Sequence, residues 1–88
     1  MMLSEARLHA AVLGRQLERR TLFEQRLLPD AAFNADAALA AYQAALEDLT
    51  TLMRARITEY ELQLDYATLL NDTSKTLARL AYLQGEER

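Results

Sequence analysis

With 88 residues the chain has room for one small domain, and at that length much apolar surface stays exposed unless the chain associates. Eighteen Leu and sixteen Ala against two Gly and one Pro favour helix before any pattern is read. Ten basic and thirteen acidic residues give a net charge of -3, which excludes a general attraction to nucleic acid; the lack of Cys excludes disulfides and thiolate metal sites.

The order Ser4-Glu5-Ala6-Arg7 suits a helix start, with Ser4 placed to accept from a free first-turn amide and Glu5 near the positive end of the dipole. Leu8, Val12, Leu13, Leu17, Phe23 and Leu27 then form one apolar stripe, backed by Arg15, Glu18, Arg19 and Arg26. Glu18 and Glu24 lie close enough to Arg residues for exposed pairs worth a few tenths of a kcal/mol. A helix is expected over residues 4–28. Pro29 lacks an amide hydrogen and crowds the turn before it, so a kink or short break is expected there, with Asp30 as a first-turn acid. Helix resumes over 30–45, and its many Ala residues allow a facing helix to approach closely.

The stretch Ala44-Ala45-Leu46-Glu47 holds no Gly or Pro, yet Asp48 ahead of Leu49-Thr50-Thr51-Leu52-Met53 reads as an N-cap opening a fresh apolar period. A turn is expected over 45–48 and a helix over 49–83. Within that helix Leu49, Leu52/Met53, Ile57, Tyr60, Leu64, Ala67, Leu70, Ser74, Leu77 and Ala81 recur mostly at steps of three and four, a heptad-like seam. Such a helix extends about 50 Å, too long for a globular core built from the other half to cover. The expected fold is all-α: one helical unit over 1–88, an elongated antiparallel hairpin resembling a coiled coil. Asn71-Asp72-Thr73-Ser74 interrupts the seam with polar residues that lower stability and help fix register. Gly85 is a natural stop, and a frayed tail is expected over 84–88.

Nothing in the sequence assembles chemistry. His9 is the sole histidine and has no convergent partners nearby; Glu47/Asp48 and Glu59/Glu61 sit at spacings that do not point together on a helix. Tyr42, Tyr60, Tyr66 and Tyr82 lack the interleaved basic residues of a single-strand binder and suit packing with wetted hydroxyls. No phosphate loop, nucleophile elbow or metal motif occurs, so neither an enzyme nor a cofactor or metal site is expected. The longest mostly apolar stretch, residues 35–46, contains Asp36 and Gln43 and falls short of the roughly 20 residues of a spanning helix. Met1-Met2-Leu3-Ser4-Glu5 lacks the basic patch and apolar core of a signal peptide, so a chain whose parent is exported would be an excised piece.

The succession Leu27-Leu28-Pro29, Ala38-Leu39-Ala40-Ala41-Tyr42-Gln43-Ala44 and Asp48-Leu49-Thr50-Thr51-Leu52-Met53-Arg54-Ala55-Arg56 resembles the C-terminal repeat of TolC-type outer-membrane efflux factors, particularly those similar to heavy-metal efflux components. In that family a descending helix with a Leu-Leu-Pro stretch reaches a tip marked Tyr-x-x-Gly. An ascending helix then opens with an acid and ends in a Leu-rich segment near a Gly, as Leu77-Ala78-Arg79-Leu80-Ala81-Tyr82-Leu83-Gln84-Gly85 does here. Ala45 stands where the family has Gly; Ala is penalised at positive φ, so either the turn shifts towards Leu46-Glu47 or the chain runs helical through it.

The resemblance implies a trimeric parent with an outer-membrane barrel and a periplasmic helical tunnel, working with a periplasmic adaptor protein and an inner-membrane pump to export metal ions or small molecules. It implies a tip at Tyr42, Ala45, Leu46, Glu47, Asp48, Leu49 and Leu52 that meets adaptor hairpins by helix packing. The competing expectation is a free-standing coiled-coil interaction module with no transport role, which the same seam permits. For the chain by itself, self-association into a dimer or higher bundle is expected.

Overall fold

In the computed structural model, which describes residues 2–86, two antiparallel helical arms meet at one turn. The first arm comprises α1 (Met2–Leu22), a π-helical turn (Phe23–Leu27) and α2 (Leu28–Gln43); the second is α3 (Leu49–Glu86). There is no strand among the described residues. The hairpin is a rod of 65 × 16 × 14 Å with a radius of gyration of 19.1 Å, against about 12 Å for a compact domain of this size. It is the elongated all-α hairpin that composition and periodicity call for.

The first arm departs from expectation in a specific way. Helix begins at Met2, so Ser4 lies inside α1 rather than capping it. At Pro29, where a kink or short break is expected, the chain stays helical, with Pro29 in the first turn of α2. The irregularity lies in the five residues before α2, where the Leu28 N–H donates to the Phe23 carbonyl in an i to i+5 bond. A proline ring collides with the carbonyl four residues earlier, here Gln25, and widening the turn around that carbonyl relieves the collision without breaking the helix. The extra residue also rotates α2 relative to α1. Ala31 and Ala35, 6 % and 0 % exposed, turn towards α3, while Asp30 and Asn34 turn to solvent.

The interface between the arms uses a different face of α3 from the seam that apolar spacing predicts. An unbroken alternation of three and four turns Leu52, Ala55, Glu59, Leu62, Tyr66, Leu69, Thr73, Thr76, Leu80 and Leu83 inward, with Leu70 half-buried beside them. Leu83 and Leu69 are 1 % and 6 % exposed, and Thr73 and Thr76 are 5 % and 9 % exposed. The predicted seam instead faces solvent for most of its length: Leu49, Met53, Ile57, Tyr60, Leu64 and Leu77 are all at least half exposed, and only Leu52 and Leu70 turn inward. Ala55, Glu59, Thr73 and Thr76 are what hid the true seam. The two threonines tolerate burial because each hydroxyl donates to the carbonyl four residues back, Thr73 to Leu69 at 2.7 Å and Thr76 to Asp72 at 3.0 Å.

Three side-chain contacts among the described residues help set register between the arms. The rings of Phe23 and Tyr66 lie 5.8 Å apart at 44°. The Tyr66 hydroxyl donates to Glu24 Oε1 at 2.7 Å, and Arg56 reaches across to Asp36 at 3.7 Å while bonding Glu59 of its own helix at 3.1 Å. On α1 the stripe is narrower than its sequence suggests: Val12 and Leu13 are half-buried, but Leu8 and Leu17 are exposed. Gly85 lies inside α3, so residues 84–86 are helical rather than frayed; Glu87 and Arg88 lie outside the described residues.

Candidate docking surface

The turn at the end of the rod is set by how α2 stops. Ala45 adopts φ 61, the left-handed region. Its N–H donates to the Tyr42 carbonyl at 3.0 Å, and the Leu46 N–H donates to the Ala41 carbonyl at 2.8 Å. This paired 5→2 and 6→1 pattern is the Schellman motif, which satisfies two of the carbonyls that a helix end leaves free. The left-handed residue stays at 45 although it is Ala rather than Gly. On the far side Asp48 caps α3, its Oδ1 accepting from the Thr51 N–H at 2.9 Å. That bond, followed by the Thr51 hydroxyl, holds the Asp48 carboxyl below the usual carboxylate range.

The seven tip residues separate by exposure. Leu46 is 79 % exposed; in this motif an apolar residue at its position often folds back on the preceding helix, and here it does not. Tyr42, Ala45, Glu47, Asp48 and Leu49 are also exposed, whereas Leu52 turns into the inter-arm seam and is half-buried. Past the turn, Leu49, Met53, Ile57, Tyr60 and Leu64 form an exposed apolar stripe along the back of α3. Residues 49 to 64 span about 23 Å at helical rise. Sequence spacing finds this stripe but not its role: α3 carries two stripes, and the less apolar one closes the hairpin.

Midway along the rod Tyr66 of α3 reaches a carboxylate on the first arm. Arg20 Nε donates to Glu24 Oε1 at 2.7 Å, and the same oxygen accepts from Tyr66. The Arg20 bond first, then the Tyr66 bond, hold the Glu24 carboxyl below its ordinary range, while Glu24 pushes the Tyr66 phenol up. Arg19, Asp65, Thr68, Leu69 and Asp72 line an open cleft of about 260 Å³ beside it. His9 donates from Nδ1 to the Glu5 carbonyl at 2.8 Å, a local helix contact. Among the described residues no group of His, Asp and Glu is arranged to hold a metal, and no helix is long and apolar enough to cross a membrane.

The described residues present a capped, exposed tip and an exposed apolar face on α3. No family model, curated protein or solved structure matches the chain.

Proposed function

We propose that the hairpin is a tunnel-wall and docking segment of a TolC-type outer-membrane efflux channel, lying on the periplasmic face of the outer membrane in a trimeric parent. The carrying observation is the tip turn: Ala45 adopts positive φ at the position where that family's Tyr-x-x-Gly pattern has its glycine, three residues after Tyr42. In this proposal Leu46 and Leu49, both more than half exposed, meet the helical hairpins of a periplasmic adaptor protein. The back of α3 packs against neighbouring wall helices, and an inner-membrane pump supplies metal ions or small molecules. Helix-on-helix packing suits such a role because it needs apolar knobs at helical spacing and no reactive group.

The second reading is a free-standing coiled-coil interaction module. What favours it is the inner seam, which runs from Leu52 to Leu83 and closes the hairpin without another chain. A photo-cross-linking residue at Leu46, in cells expressing the chain from its own locus, separates the two. Adducts with a periplasmic adaptor hairpin, lost when the cross-linker is moved to buried Leu83, are expected for the channel segment. Adducts confined to cytoplasmic proteins would overturn it in favour of the module.

A further inference from the structure

The outward face of α3 carries more than an unpartnered stripe. The chain exposes 6543 Å² of surface. A compact monomer of its 10.0 kDa mass exposes about 5,200 Å². The difference exceeds the roughly 800 Å² that each partner contributes to a standard interface. Met53, Ile57, Tyr60 and Leu64 stand on one face at steps of four, three and four, 50–68 % exposed, on the side of α3 away from the inter-arm seam. They have the spacing of a second coiled-coil core.

The charges beside that core are complementary to themselves. Arg54 and Glu61, seven residues apart, flank the same edge of the stripe, and neither forms a salt bridge among the described residues. We infer that a second copy of this chain covers the face, packed antiparallel about a two-fold axis level with residues 58 and 59. In that register Met53 lies opposite Leu64 of the second copy and Ile57 opposite its Tyr60. On one edge Arg54 meets Glu61 twice over, and on the other Arg56, held by its own Asp36 and Glu59, stands level with uncharged Gln63, so no like charges oppose. A parallel pairing would use Arg56 against Glu61 instead, and Arg56 is already held by Asp36 and Glu59. The inference concerns the 88-residue chain alone and stands whether or not the channel proposal does.

Sedimentation equilibrium of the chain from about 1 µM to about 1 mM tests it. A dimer is expected, and Ile57→Lys should make it monomeric while circular dichroism stays helical, since Ile57 is half exposed in the hairpin. Arg54→Glu alone and Glu61→Arg alone should each raise Kd by about tenfold. An equimolar mixture of those two variants should recover the original affinity as a heterodimer. A monomer at the highest concentration would overturn the inference and leave the face to a different protein. So would a dimer indifferent to Ile57→Lys, a mixture no tighter than either variant alone, or weakening by Glu61→Arg but not by Arg54→Glu.

Discussion

The Leu46 N–H donates to the Ala41 carbonyl at 2.8 Å, closing a Schellman turn around an alanine held at φ 61. Left-handed backbone costs an L-residue with a Cβ about 1–2 kcal/mol. Replacement of Ala45 by Gly removes that cost and adds the entropy of a freer unfolded chain. Ala45→Gly is expected to stabilise the hairpin by about 0.5–1 kcal/mol net, read as a higher midpoint in urea with unchanged slope. A loss of stability would mean that position 45 does not hold the left-handed conformation.

Acid should loosen the hairpin through two carboxylates. Glu24 and Asp48 both titrate below their ordinary values when folded, Glu24 through Arg20 and Tyr66 and Asp48 through Thr51. A depressed carboxylate contributes stability above its unfolded pKa, and that contribution is lost as pH falls through the folded one. Thermal midpoints should therefore drop as pH moves below the ordinary carboxylate range. Glu24→Gln and Asp48→Asn should each flatten that drop, Asn still being a good N-cap. Acid sensitivity unchanged in both variants would show that these bonds do not form in solution.

Ala35 has no exposed surface, and Ala37, two residues on, faces solvent. Leu at position 35 would have to push α2 away from α3 and should cost about 1–3 kcal/mol. Leu at position 37 should change stability little. Equal effects would be inconsistent with the rotation that the π-helical turn imparts to α2.

Gln16 sits on the inner side of α1 with its Oε1 buried and no hydrogen-bond partner among the described residues. An apolar side chain of similar size removes that desolvated oxygen, so Gln16→Leu is expected to stabilise by about 1 kcal/mol in denaturant unfolding. A destabilised variant would indicate that the amide is satisfied in solution.

Much of this architecture was legible from residue order. The Leu and Ala content with so little Gly and Pro gave helix throughout, Asp48 marked the start of α3, and the length of the apolar period gave a rod. Two features were not legible, for physical reasons. Pro29 announces a disturbance, but whether a helix breaks, kinks or absorbs it in a π turn depends on whether the facing helix holds the two halves in line. The choice of seam on α3 depends on what the other arm presents. Ala31 and Ala35 accept close approach, and Thr73 and Thr76 hide their hydroxyls against their own backbone, so a face poorer in large apolar residues packs inward. Counting apolar residues selects the richer stripe, which is the one left outside. The position of the turn was legible. The inward rotation of Leu52 was not, because it belongs to both patterns.

The central structural claim is that α3 has two apolar faces and closes the hairpin with the one through Leu69. Because the chain contains no Cys, single cysteines can report each face by thiol labelling, at a dilution where copies do not pair. Leu64→Cys should label within about tenfold of an unfolded peptide, and Leu69→Cys should be slowed by about a hundredfold or more. A protected cysteine at 64 with a reactive one at 69 would contradict the claim and put the inter-arm seam on the opposite face.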